Sequence, residues 1–87
     1  MTKRVEIVFK SNPINFIREA TGTKSNTIRK PDQDGHDARF RILDKYIQGE
    51  KMNLYVGIQH TKLNETFFRK VSDVTKFEGL YIISWRI

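Results

Sequence analysis

The 87-residue chain has no cysteine, which excludes a disulfide framework, a thiolate metal site and a cysteine nucleophile. It has two histidines, His36 and His60, and a zinc site would need more ligands than these. No apolar run approaches the roughly 20 residues of a membrane-spanning helix, and the opening MTKRVEIVFK is too short and too charged for a signal peptide. A cytoplasmic protein without membrane contact is the expectation. The length suits one domain with a modest core.

What is present in excess is positive charge. The net charge of +6 is unevenly spread. Residues 1–30 carry seven basic against two acidic side chains, residues 31–50 three against five, and residues 51–87 six against three. A basic surface of this kind favours a polyanion or nucleotide partner, although solubility alone is a competing reason for it.

The basic excess surrounds one stretch, NPINFIREATGTKSNTIRK from Asn12 to Lys30. Asn12 or Ser11 can cap a helix, and Pro13 suits its first position, where a missing N–H costs nothing. Ile14, Ile17 and Ala20 or Thr21 form an apolar stripe, with Asn15, Arg18 and Glu19 on the wet side and Phe16 off the stripe. Gly22 can take the positive φ that ends a helix, and Lys24 complements the negative end of the helix dipole. Ser25 to Lys30 then reads as a short strand closed by Pro31, with Ile28 on one face and Thr27 and Arg29 on the other.

Before this stretch, Arg4 to Lys10 alternates as a strand. After it, Pro31 to Asp37 is a polar loop. Asp32, Asp34, His36 and Asp37 are donors, but the glycine and glutamate spacing of a calcium loop is missing, so no metal is expected. Ala38 to Gly49 has Phe40, Leu43 and Ile47 at helical spacing; a strand from Ala38 to Leu43 competes. Lys51 to Gln59, Thr66 to Val74 and Leu80 to Ile87 read as strands, the last apolar enough to be central, and Trp85 within it is expected in the core. The pattern predicts an α+β fold: a small, mostly antiparallel, partly closed β-barrel with two helices at its open side.

The order of these parts, with Gly22, Lys24, Ser25, Thr27, Ile28 and Arg29 in a G-x-K-S-x-T-I-R stretch and Arg69, Val71, Asp73 and Val74 in an R-x-V-x-D-V step, resembles the ASCH family of the PUA-like superfold. The resemblance implies a β-barrel with a cleft beside the first helix that handles RNA or nucleosides. Small acetylcytidine amidohydrolases of that family use a lysine and a threonine that match Lys24 and Thr27, with a downstream glutamate for which Glu65 and Glu78 are the available residues. Lys24 and Thr27 are therefore the candidate catalytic pair. Their plainer roles are a helix-dipole partner and a strand former.

Three functions follow as expectations. The first is a module binding RNA or a nucleotide, with no cofactor. Lys24, Arg29, Lys30 and Arg39 would contact phosphate, Asn26 or Thr27 would meet a base edge, and Tyr55 is preferred to Tyr81 or Trp85 as a stacking surface. The second is an amidohydrolase acting on a modified nucleoside, and the third an accessory protein that binds a host protein.

Overall fold

The computed structural model describes residues 3–31 and 37–86. Strand β1 (Arg4–Ser11) leads into helix α1 (Pro13–Ala20), then the short strand β2 (Asn26–Arg29) and helix α2 (Ala38–Ile47). Strands β3 (Asn53–His60), β4 (Thr66–Phe77) and β5 (Leu80–Trp85) complete the fold. The loop donors Asp32, Asp34 and His36, at which no metal is expected, lie outside the described residues.

The five strands form one sheet in the order β1-β3-β4-β5-β2. β1 runs parallel to β3 and every other pair is antiparallel. The α+β class is as expected, but the barrel is not. β1 and β2 are the two edges of an open mixed sheet, and no backbone ladder joins them. The gap between them is spanned by a side chain: Arg29 on β2 donates to the Lys10 carbonyl of β1 at 2.7 Å. A β2 of four residues, with its guanidinium set where a ladder would close, leaves the sheet open.

Alternation along the strands puts Ile7 and Phe9 of β1, Leu54, Val56 and Ile58 of β3 and Tyr81, Ile83 and Trp85 of β5 into one core. Trp85 is buried there as its sequence context suggests. On β4 the buried pair Val71 and Val74 are three residues apart, a spacing that regular alternation would send to opposite faces. A register shift between Val71 and Asp73 restores both to the same side. Asp73, in the same motif, stays exposed and accepts from Thr75.

Helix α2 forms as the Phe40 and Leu43 spacing predicts, and the competing strand does not. Asp37 caps it, accepting from the Arg39 backbone N–H at 3.0 Å. Phe40 and Leu43 enter the core, and Tyr81 donates to Asp44 at 2.7 Å, tying the helix to β5. The third residue of the stripe, Ile47, stays exposed.

Helix α1 begins and ends as expected, with Asn12 accepting from Asn15 N–H at 2.9 Å and Gly22 at a φ of 83° beyond its end. Its inward face is the opposite of the one predicted. Ile14 is 67 % and Ile17 58 % exposed, whereas Glu19 is 1 % exposed. Phe16 is the reason: it packs edge-on against His60 and Phe67 at 5.0 and 5.3 Å, which turns Glu19, three residues on, toward the sheet. The floor beneath is polar, made of Ser11, Thr27 and Arg29, and suits a carboxylate better than isoleucine. Arg69 of β4, half-buried, fixes the helix end by donating to the Ala20 carbonyl.

A candidate anion-binding cleft between two sheet edges

The open edges create the site. The backbone of β1 presents the carbonyls of Val8 and Lys10, and each takes an arginine N–H: Arg39 to Val8 and Arg29 to Lys10, both at 2.7 Å. The two guanidinium groups also lie over the Phe9 ring, at 4.4 Å for Arg39 and 5.1 Å for Arg29. Asp37 holds Arg39 from the other side through Nε and Nη2, so the side chain cannot swing freely. That same contact keeps the Asp37 carboxyl below its ordinary range.

Arg29 is fixed even more completely. Its Nε donates to Thr27 Oγ1 at 2.9 Å and its Nη2 to Ser11 Oγ at 2.6 Å. Ser11 passes the chain on by donating to Glu19 Oε1 at 3.2 Å. Burial lowers the Arg29 pKa, the Glu19 charge opposes that shift, and Arg39 adds to it.

A cleft of about 680 Å³ lies between the edges, lined by Lys10, Ile28, Arg29, Lys30 and Arg39 among others. Among the described residues its lining carries four cationic side chains and the Asp37 carboxylate. A second hollow of about 180 Å³ adjoins it, sharing Lys10, Ile28 and Arg29 and adding Ser11, Asn12, Asn15, Glu19, Lys24 and Thr27. A volume on the scale of 300–1,000 Å³ suits a small ligand, so the larger cleft can hold one and the smaller only a fragment of one.

Of the residues singled out from sequence, Lys24, Thr27 and Arg29 line the smaller hollow together, and Arg29, Lys30 and Arg39 line the larger. Thr27 is buried, its oxygen taken up by Arg29. Asn26 lies on β2 opposite Ser84 and lines neither hollow. Tyr55 is on β3 with the Arg4 guanidinium 3.9 Å above its ring, also away from both. Glu65, just before β4, and Glu78, in the turn between β4 and β5, are exposed and line neither. Among the described residues no cluster of three potential metal ligands occurs.

Sequence reasoning missed Lys10, Ser11 and Glu19. The signal for Glu19 was available: with Phe16 as the inward anchor, Glu19 and Ala20 follow at spacings of three and four. The contribution of β1 was not legible, since it depends on two edges meeting across a gap. Comparisons with protein-family models, with curated proteins and with solved structures yield no match, so the geometry of this cleft is what speaks for the chain's activity.

Proposed function

We propose that the chain is a small binding module for RNA or a nucleotide, which takes the phosphate-bearing part of its ligand in the cleft between β1 and β2. The observation that carries this reading is the convergence on one cleft of Lys10 from β1, Arg29 from β2, Lys30 just beyond it and Arg39 from α2. Phosphate recognition needs cations held in place before the ligand arrives, so that little ordering remains to be done on binding. The arginines meet that need through their contacts to β1, while the Lys10 and Lys30 ammonium groups, which make no ion pair among the described residues, supply adaptable charge. Apolar Val8 and Ile28, 36 % and 53 % exposed at the rim, offer surface for a base or ribose.

The test is a titration of a fluorescent single-stranded RNA and of mononucleotides into the native chain and a Lys10→Glu/Lys30→Glu variant. Both substitutions are at exposed positions, so the fold is retained. Binding that falls at least about tenfold in the variant supports the proposal, because each lost phosphate contact is of the order of 1 kcal/mol. Unchanged affinity refutes it.

A hydrolytic reading has one specific observation in its favour: Lys24, Thr27 and a carboxylate, that of Glu19 rather than Glu65 or Glu78, line a common hollow. A hydroxyl attacks only when a base takes its proton, and Lys24 makes no side-chain hydrogen bond to Thr27 among the described residues. Turnover of acetylated cytidine that disappears in Thr27→Ala would support this reading; absence of turnover would end it.

A further inference from the structure

We infer that the hollow around Glu19 receives the amino group of a nucleobase, cytosine or adenine, which adds base selection to the nucleotide binding proposed above and rests on it. Glu19 is 1 % exposed, and its Oε1 accepts from Ser11. Its Oε2 is buried and no donor among the described residues reaches it. Buried carboxylate oxygens without a donor are rare and unfavourable, and Glu19 lines the smaller hollow, so an N–H that meets this oxygen after a small rotation of the carboxylate is favoured.

The surrounding charge decides what kind of donor fits. Among the described residues, Lys10, Lys24 and Arg29 line the same hollow as the Glu19 carboxylate and no second carboxylate does. A free organic cation meets net repulsion there, whereas a neutral N–H attached to an anion satisfies both the carboxylate and the cations. A nucleotide has that combination. Its amino group is neutral and points away from the sugar, and its phosphate can lie in the adjoining cleft against Lys10 or Lys30.

The size agrees as well. About 180 Å³ accommodates a base edge, while ribose and phosphate need the larger space that opens beyond Lys10, Ile28 and Arg29. Carboxylates read cytosine by accepting from its N4 amino group, and unpaired bases are recognised along this edge. Uracil and hypoxanthine place a carbonyl oxygen where cytosine and adenine carry the amino group, and that oxygen would face the Glu19 carboxylate.

The experiment compares CMP with UMP and AMP with IMP by calorimetry on the native chain, with backbone amide signals of Ser11, Glu19 and Lys24 followed by NMR. The amino member of each pair is expected to bind at least about tenfold more tightly and to shift those three signals. In Glu19→Met, which keeps an unbranched side chain of similar volume, the preference should fall to within about twofold. If that variant does not fold, N4,N4-dimethyl-CMP on the native chain serves instead, since it has no amino hydrogen and should bind as weakly as UMP. Equal affinity within both pairs overturns the inference and leaves the cleft reading standing. A preference that survives in folded Glu19→Met, or for the dimethylated nucleotide, overturns it too; failure of every mononucleotide to bind also overturns it, while the RNA titration above decides the cleft reading.

Discussion

Asp37 shows how one side chain serves several ends of this structure. It caps α2 and holds Arg39, which in turn reaches the Val8 carbonyl on β1. Because the Arg39 contact keeps the carboxyl below its ordinary range, Asp37 stabilises the fold at neutral pH. That contribution is complete above the unfolded value of about 4 and is lost as the pH falls through the lower folded value. Chemical denaturation at pH 7 and pH 3 should therefore show a smaller acid-induced loss of stability in Asp37→Asn than in the native chain. An equal loss in both would mean that the pair contributes nothing.

Gly57 is a second residue whose role is set by close contact. A Cβ at this position would lie 2.6 Å from Phe68 Cε1 and 3.1 Å from Val8 Cγ2. Phe68 sits directly opposite on β4 and covers the glycine. Gly57→Ala should cost about 1–3 kcal/mol through overpacking, read from the denaturation midpoint. A neutral result would show that Phe68 moves aside without loss.

Among the elements, α1 is the one whose faces were misread. A helix of eight residues with two isoleucines at helical spacing points to an Ile14–Ile17 core face, and hydrophobicity alone supports that choice. The structure instead anchors it by Phe16, because an aromatic ring buries more area against His60 and Phe67 than either isoleucine could. Phe16→Ala should thus destabilise the protein by about 2–3 kcal/mol, while Ile17→Ser should stay within about 0.5 kcal/mol. The reverse order would restore the isoleucine face. The strands were easier to read, since alternation survives in β1, β3 and β5; the exception is β4, where the shift near Ser72 is set by pairing with β5 and not by the β4 sequence.

β1 illustrates what an edge strand requires. Two of its carbonyls are covered by guanidinium groups, which blocks pairing with another chain there and fixes the cleft at the same time. Arg29→Lys keeps the charge but cannot reach the Lys10 carbonyl, Ser11 and Thr27 together. A loss of about 1–3 kcal/mol in stability is expected, with weaker ligand binding; unchanged stability would mean that the edges stay in place without this fork.

At the scale of the whole molecule, the sequence makes the secondary structure and the basic stretch around Lys24 to Lys30 legible, because both are local properties. The sheet order is not, since parallel pairing of β1 with β3 skips over α1, β2 and α2. That pairing leaves β1 and β2 as facing edges and converts the expected barrel into an open sheet with a cationic gap. Lys10, which reads as an ordinary strand-end residue, becomes part of the cleft only through this topology.

If the gap between the edges binds phosphate, RNA affinity must depend on salt in a defined way. For a single strand the logarithm of the binding constant falls against the logarithm of salt with a slope of about −0.7 per phosphate neutralised. Three or four contacts predict a slope of roughly −2 to −3, which Lys10→Ala/Lys30→Ala should make about 1.4 shallower. A slope near zero, or one that is the same in the native chain and the double variant, would mean that the gap does not bind phosphate.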